Sequence, residues 1–372
     1  MKRTDLHHIS DARHHRQHRQ NRLIAVLCIF ICVVCVITIF LLIRDILDRQ
    51  SQNAIVTSGS SNIIETTAIS SLDPTSQSTE PVVTASPTPE STISDNDREA
   101  KLTQLKASIA SYLEAKDGRY SVYYVNAGNA EAFGFNEAEP MVAASSIKIA
   151  YNTYLYQQAA SGTFSMDEVM KYNAAPYPEG DLETGTGIIQ NAADGTEYTL
   201  AELSKLSITI SDNCATNMVL RYLGGIDAVN DGYMVPVSSI VNYRSSVSYT
   251  DYLGAAQTGR HRTCAQDLAL YAKNLYDLYQ ASPEAYKPLM NNLQTTEYNW
   301  GIPAGVTPGV VVAHKVGFNP SYGANNDIGI VFADETYILC VMTESGSDAE
   351  AQETIKEVSR MVFEYIDALY AA

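Results

Sequence analysis

Hydrophobic and polar positions fall into three regimes along the chain. Leu23 to Ile43 is an uncharged apolar run of 21 residues, broken only by Thr38. That length crosses a hydrocarbon core of roughly 30 Å as a helix. From residue 50 to about 98 periodicity disappears, and Ser, Thr and Pro dominate, as in Thr84 to Thr92 (TASPTPEST). Such a stretch buries too little apolar surface to offset chain entropy, which predicts a disordered stalk. Beyond it two periods return. Leu102 to Ala115 has helical spacing, and Tyr120 to Asn126 and Ala132 to Phe135 read as strands around a Gly128-Asn129 turn. The stretch from Ser145 to about Asn292 reads mostly as helix, and after Pro303 strands recur at Val310 to Lys315, Asp327 to Ala333 and Thr336 to Thr343. Thr199 to Glu202 and Ser347 to Glu350 have the capping-box pattern that opens a helix. The second of these helices carries Ile355, Val358, Val362, Ile366 and Leu369 on one face.

This order predicts an α/β (α+β) fold. An antiparallel sheet forms from both chain ends, flanked by helices, with an all-helical lobe inserted between its halves and a site at the lobe interface. The expected organisation is a basic tail at 1–22, a transmembrane anchor at 23–43, a stalk at 44–98 and one globular domain at 99–372.

Charge gives the chain an orientation. Before the span, Lys2, Arg3, Arg13, Arg16, Arg19 and Arg22 outweigh Asp5 and Asp11, a net of +4; the whole chain carries −17, leaving −21 for the remainder. The positive-inside rule puts the tail in the cytoplasm and everything after Ile43 outside. No cleavage site of small residues follows the run, so an uncleaved signal-anchor is expected. So acidic an outer part has no electrostatic footprint for nucleic acid. Cys28, Cys32 and Cys35 lie along one face of the span, as small packing residues or, for Cys28, as a lipidation site. The outer part has only Cys214, Cys264 and Cys340, from which no disulfide framework can be read. Five tail histidines alternate with Arg and Gln without fixed ligand spacing, so no metal or cofactor is expected.

Three strings carry the chemistry. Ser145 and Lys148 are three apart at an expected helix start, which puts both on one face, where the amine can take the serine proton. In Ser211-Asp212-Asn213 the hydroxyl can relay a proton, and the Asn213 amide can bind a substrate backbone or orient Lys148. The same tripeptide recurs at Ser94-Asp95-Asn96, as a stalk run or a helix cap. Lys315 lies on a strand with Gly317 two residues on, leaving room for a substrate at the edge; alternation puts His314 on the opposite face, as a packed histidine. Arg260, His261 and Arg262 read as a surface cluster flanking a helix.

Together these strings resemble the S-x-x-K, S-D-N and K-T-G elements of penicillin-recognising serine enzymes, class A β-lactamases most of all. Ala144 to Lys148, Gly185-Thr186-Gly187, Ser211 to Asn217, Leu223-Gly224-Gly225, Thr263 to Leu268 and Ile302 to Gly305 are similar to segments of that family and run in its order. The resemblance implies the β-lactamase/transpeptidase fold and an acyl-serine route. Ser145 is then the nucleophile, Lys148 its base, Ser211 the relay, Asn213 a substrate contact and Lys315 the anchor of a substrate carboxylate. The backbone N–H groups of Ser145 and Phe318 form the oxyanion hole.

Two departures follow. Val316 stands in place of the pattern's threonine, with loss of a hydrogen bond worth roughly 1.5–3 kcal/mol to a substrate carboxylate. The family's loop carries a glutamate and, four residues later, an asparagine that position water. The segment from Ser238 to Arg262 has no glutamate; its only carboxylate is Asp251, a substitute base or an ordinary loop residue, and Ala255 stands four residues further on. The expected function is an anchored extracellular serine hydrolase acting on β-lactams or a related amide or ester. The alternatives are a peptidoglycan-directed, penicillin-binding acyl-enzyme former that deacylates slowly, and a non-catalytic cell-wall module.

Overall fold

A computed structural model describes residues 93–370. The expected tail, anchor and most of the stalk lie outside the described residues, as do Cys28, Cys32, Cys35 and the tail histidines. Among the described residues no helix is long and apolar enough to cross a membrane.

The first helix, α1, spans Asp95–Glu114 and so begins inside the stretch that composition gives to the stalk. Ser94 is its N-cap and accepts from the Asp97 N–H at 3.2 Å, which settles the role of the first Ser-Asp-Asn string. The hairpin follows as β1 (Arg119–Asn126) and β2 (Ala132–Phe135). Then come β3 (Met141–Val142), α2 (Lys148–Ala160), β4 (Val169–Lys171), β5 (Glu197–Thr199), α3 (Leu200–Thr209) and α4 (Asn213–Tyr222). Next are β6 (Val247–Thr250), β7 (Ala256–Gly259), β8 (Arg262–Thr263), α5 (Ala265–Ala281) and α6 (Pro283–Gln294). The chain returns to the sheet through β9 (Val311–Asn319), β10 (Ala324–Phe332) and β11 (Thr336–Glu344), and continues into α7 (Asp348–Asp367).

The main sheet has the order β2-β1-β11-β10-β9, antiparallel throughout, so both chain ends build it. The central strand β11 is buried on both faces, which is why Tyr337–Met342 reads as a continuous apolar run. On β11, Tyr337, Leu339 and Val341 pack with Leu105, Ile109 and Leu113 of α1 and Ile355, Val358 and Val362 of α7. Ile338, Cys340 and Met342 point the other way, into a core shared with α2 and α5.

The inserted lobe is not all-helical. β4 pairs with β5, and β6 with β7, as two small antiparallel ladders. Both are short and lie largely at the surface, so little hydrophobic alternation marks them. The box at Thr199 is complete, whereas that at Ser347 is half made: Ser347 Oγ accepts from the Glu350 N–H at 3.3 Å, and the Glu350 carboxylate pairs with Lys116 at 3.5 Å.

Candidate active site

The chain leaves β3 through Ala144, whose φ is +45°, and enters a 3-10 turn, Ala144–Ile147, that runs on into α2. Side chains three apart eclipse in such a turn. Ser145 and Lys148 therefore leave the same side and line one cavity of about 360 Å³. Left-handed backbone at a non-glycine residue costs roughly 1–3 kcal/mol and persists only where its surroundings over-determine it. Here Asn326 Nδ2 donates to the carbonyls of Val142 and Ala143, at 2.8 and 3.1 Å. The Val142 N–H donates at 2.7 Å to Glu344, which is paired with Arg119 at 2.6 Å.

Ser211 is a second left-handed residue, with φ +57°, between α3 and α4. Asp212 caps α4 through the Ala215 N–H at 2.9 Å, and its other oxygen accepts from the N–H groups of Ile188 and Ile189. Gly187 packs so closely here that a Cβ would come within 2.2 Å of the Asp212 carboxyl carbon. Thr186 Oγ1 donates to the Ser211 carbonyl at 2.6 Å. The Gly185-Thr186-Gly187 segment is thus the clamp that presents Ser211.

Two amines share the Ser211 hydroxyl. Lys148 Nζ donates to it at 3.3 Å, to the Ser211 carbonyl at 2.8 Å and to Asn213 Oδ1 at 2.9 Å. Lys315 Nζ donates to it at 3.1 Å and to the Val316 carbonyl at 2.9 Å. Burial lowers Lys148 to about 7, against the raising influence of Glu183 and Asp212. Burial also holds Lys315 well below an ordinary lysine, and the Lys148 charge adds to that. The three donated bonds belong to the ammonium form. Once it has lost one proton, Lys148 keeps two donors and a lone pair that can accept the Ser145 proton near neutral pH, and Ser211 can pass a proton to a leaving group. Ser211→Ala is expected to slow transfer of an acyl group to Ser145 by about a hundredfold. The rate of covalent labelling by a fluorescent acylating probe reads this, and a rate within threefold of wild type would remove Ser211 from the relay.

Asn213 orients Lys148, one of the two roles expected of its amide. Other expected roles shift. Lys315 is 0 % exposed and turned to Ser211 rather than to the cavity, so direct anchoring of a carboxylate does not follow from its position. Gly317 makes room for the protein itself: a Cβ there would lie 2.5 Å from the Ser146 nitrogen and 2.9 Å from that of Ser145. Phe318 and Ser145 both line the cavity, as a pair supplying oxyanion N–H groups requires. Val316 is 1 % exposed, in register with Asp327, and does not line the cavity.

Asp251 belongs to the β6–β7 turn. Its Oδ1 accepts from the N–H groups of Leu253 and Ala255, and its Oδ2 from Gln257, which together hold its carboxyl below the ordinary range. It is a turn residue, outside the cavity wall. In the 260–262 run Arg260 and His261 are exposed, as expected of a surface cluster, but Arg262 is not part of one. Arg262 is buried with its guanidinium 4.1 Å from the Tyr249 ring centre, and His261 lines the cavity 2.6 Å from Arg244. His314 is packed as expected, between Asp327 at 3.0 Å and Thr296 at 2.9 Å.

Sequence reasoning missed Tyr177, Glu183, Tyr243 and Arg244, which also line the cavity. No local pattern marks them, although Glu183 stands two residues before the Gly-Thr-Gly clamp. Cys214, Cys264 and Cys340 are buried free thiols. Among the described residues no group of His, Cys, Asp and Glu is placed to hold a metal ion.

Comparison with known proteins bears on the family and the fold. The chain is 24 % identical over 280 residues to a β-lactamase of Bacillus licheniformis, covering 71 % of this chain and 85 % of that protein. It is 27 % identical over 270 residues to β-lactamase AST-1 of Nocardia asteroides, covering 69 % and 81 %. The solved structure of PBP-A shares the fold, with a TM-score of 0.62 at 24 % identity over 72 % of this chain and 97 % of that one. The model of the Beta-lactamase enzyme family matches residues 104–366, and with Ser145 and Lys148 lining one cavity and Lys148 and Lys315 meeting at the Ser211 hydroxyl behind it, the chain belongs to that family and is a serine hydrolase of the β-lactamase type.

Proposed function

We propose that the protein acylates Ser145 with β-lactams or a related amide or ester and then hydrolyses the acyl-enzyme, on the outer side of a membrane. One observation carries the chemistry: Lys148, lowered to about 7 and one 3-10 turn after Ser145, shares Ser211 with a second lysine. The neutral amine removes the Ser145 proton as Oγ bonds to the carbonyl carbon. Ser211 then protonates the departing nitrogen or oxygen, restored by the lysines that donate to it. Residues 23–43 anchor the chain with its basic tail in the cytoplasm, and the segment up to α1 acts as a stalk within the cell wall; charge bias and composition support this part of the reading.

A second reading has its own observation. Asp251 is engaged in a turn, and no other carboxylate lies between Ser238 and Arg262, which favours a penicillin-binding, peptidoglycan-directed protein that holds its acyl group. A mutant of PBP-A, which shares this fold, has been solved as an acyl-enzyme complex with penicillin G.

One experiment addresses both. Intact cells producing the full chain are exposed to a membrane-impermeant fluorescent penicillin and to a chromogenic cephalosporin, beside Ser145→Ala. Label or colour that vanishes in Ser145→Ala is the expected result. Sustained colour supports hydrolysis, a persistent label supports the second reading, and labelling only after lysis would overturn the outward placement. No reaction with either probe would overturn the acyl-serine reading.

A further inference from the structure

We propose that Glu183, from the loop before α4, is the carboxylate that activates water against the Ser145 acyl-enzyme. The assignment rests on the acyl-serine reading and goes beyond it, since the expected loop supplies no such group. Among the described residues that line the cavity with Ser145 and Lys148, Glu183 is the only acid.

Glu183 is exposed to solvent where it lines the cavity, and its carboxylate is held by a neighbour. Asn217 Nδ2 donates to Glu183 Oε2 at 2.9 Å, and Asn217 is itself buried on α4, one turn beyond Asn213. That bond leaves Glu183 Oε1 for a water in the cavity. The backbone is fixed at the same residue: the Glu183 N–H donates to Cys214 Sγ at 3.4 Å, and Cys214 donates back to the Glu183 carbonyl at 3.5 Å. Two residues earlier, the buried Asp181 takes both arms of Arg221 at 2.9 Å. Glu183 is also electrostatically coupled to the catalytic amine, as the largest influence opposing the fall that burial imposes on Lys148.

The step balances without a further reactant. Glu183 takes a proton from water as the water oxygen bonds to the acyl carbon and the carbonyl pair moves onto oxygen. Collapse re-forms the carbonyl and breaks the bond to Ser145 Oγ. The proton passes from Glu183 to Oγ, releasing the carboxylic acid and the free enzyme.

Glu183→Gln keeps the size of the side chain and an oxygen for Asn217, but cannot take the proton. In the full-length protein at about pH 8.5, on the plateau above the limb that Lys148 sets, Ser145-dependent labelling by fluorescent penicillin should stay within threefold of wild type. The lifetime of the acyl-enzyme, followed by intact mass, should lengthen at least about a hundredfold, with the thermal midpoint unchanged. Asp251→Asn serves as the contrast, with an unaltered lifetime. An unchanged lifetime in Glu183→Gln, or one lengthened equally by Asp251→Asn, would overturn the assignment. Absence of any Ser145 label in the wild type would instead sink the acyl-serine reading, and this assignment with it.

Discussion

Replacing Lys148 by alanine is expected to slow acylation of Ser145 by about 10³-fold, within the usual range for loss of a positioned general base. The amine is 5 % exposed and fixed by three hydrogen bonds, so no other group moves readily into its place. Its protonation sets the pH profile. Only the neutral amine accepts a proton, and burial brings it to about 7. Below that pH the neutral fraction falls tenfold per unit, so wild-type acylation should rise from about pH 5 to a plateau above about pH 8. In Lys148→Ala this limb should disappear along with the rate. The fold should survive, since Thr186 still donates to the Ser211 carbonyl and Lys315 to its hydroxyl. Stopped-flow labelling across pH measures both effects. A variant within tenfold of wild type, or one that keeps the limb, would assign the base to another group.

Much of the fold was legible because its strongest signals are local. The both-faces-buried run Tyr337–Met342 and the boxes at Thr199 and Ser347 need no distant partner to be recognised. The β4–β5 and β6–β7 ladders were not legible, because they bury little and are set by the loops they close. At the site, Ser145, Lys148 and Ser211 could be read as a group since their spacing and order survive in the chain. Their environment could not. Whether Lys315 faces substrate or Ser211 depends on how β9 meets the lobe, and so does the outward or inward position of Val316. Glu183 is the clearest case. It reaches the cavity only because Asp181 is forked by Arg221 and Asn217 caps its carboxylate, contacts spanning about 35–40 residues. Asp251, by contrast, was noticed from its place in the expected loop and is bound up in its own turn.

Gly317→Ala carries the second large effect, and it separates the turn's geometry from its chemistry. A methyl at this point has no free volume: it would stand 2.5 Å from the Ser146 nitrogen and 2.9 Å from both the Ala143 carbonyl oxygen and the Ser145 nitrogen. All three contacts are backbone, so no side chain can swing aside. Either β9 retreats from the sheet edge or the 3-10 turn shifts. β9 is held along its length by β10, in register from Val311 to Asn319. The turn, already strained at Ala144, is the part expected to yield. Overpacking of this kind costs about 1–3 kcal/mol, which lowers the thermal midpoint of a domain this size by roughly 2–5 °C. The kinetic effect is larger, because the Ser145 N–H that the methyl crowds is one arm of the oxyanion hole. Losing one such donor costs about 10²–10³ in rate. Acylation should therefore fall by about that factor while Lys148 keeps its bonds to Ser211 and Asn213, so the pH limb near 7 remains. Differential scanning calorimetry and pH-resolved labelling of Gly317→Ala test both halves. A variant that acylates normally would show that the turn and β9 are not in close contact, whereas loss of the limb would mean that the damage had reached Lys148.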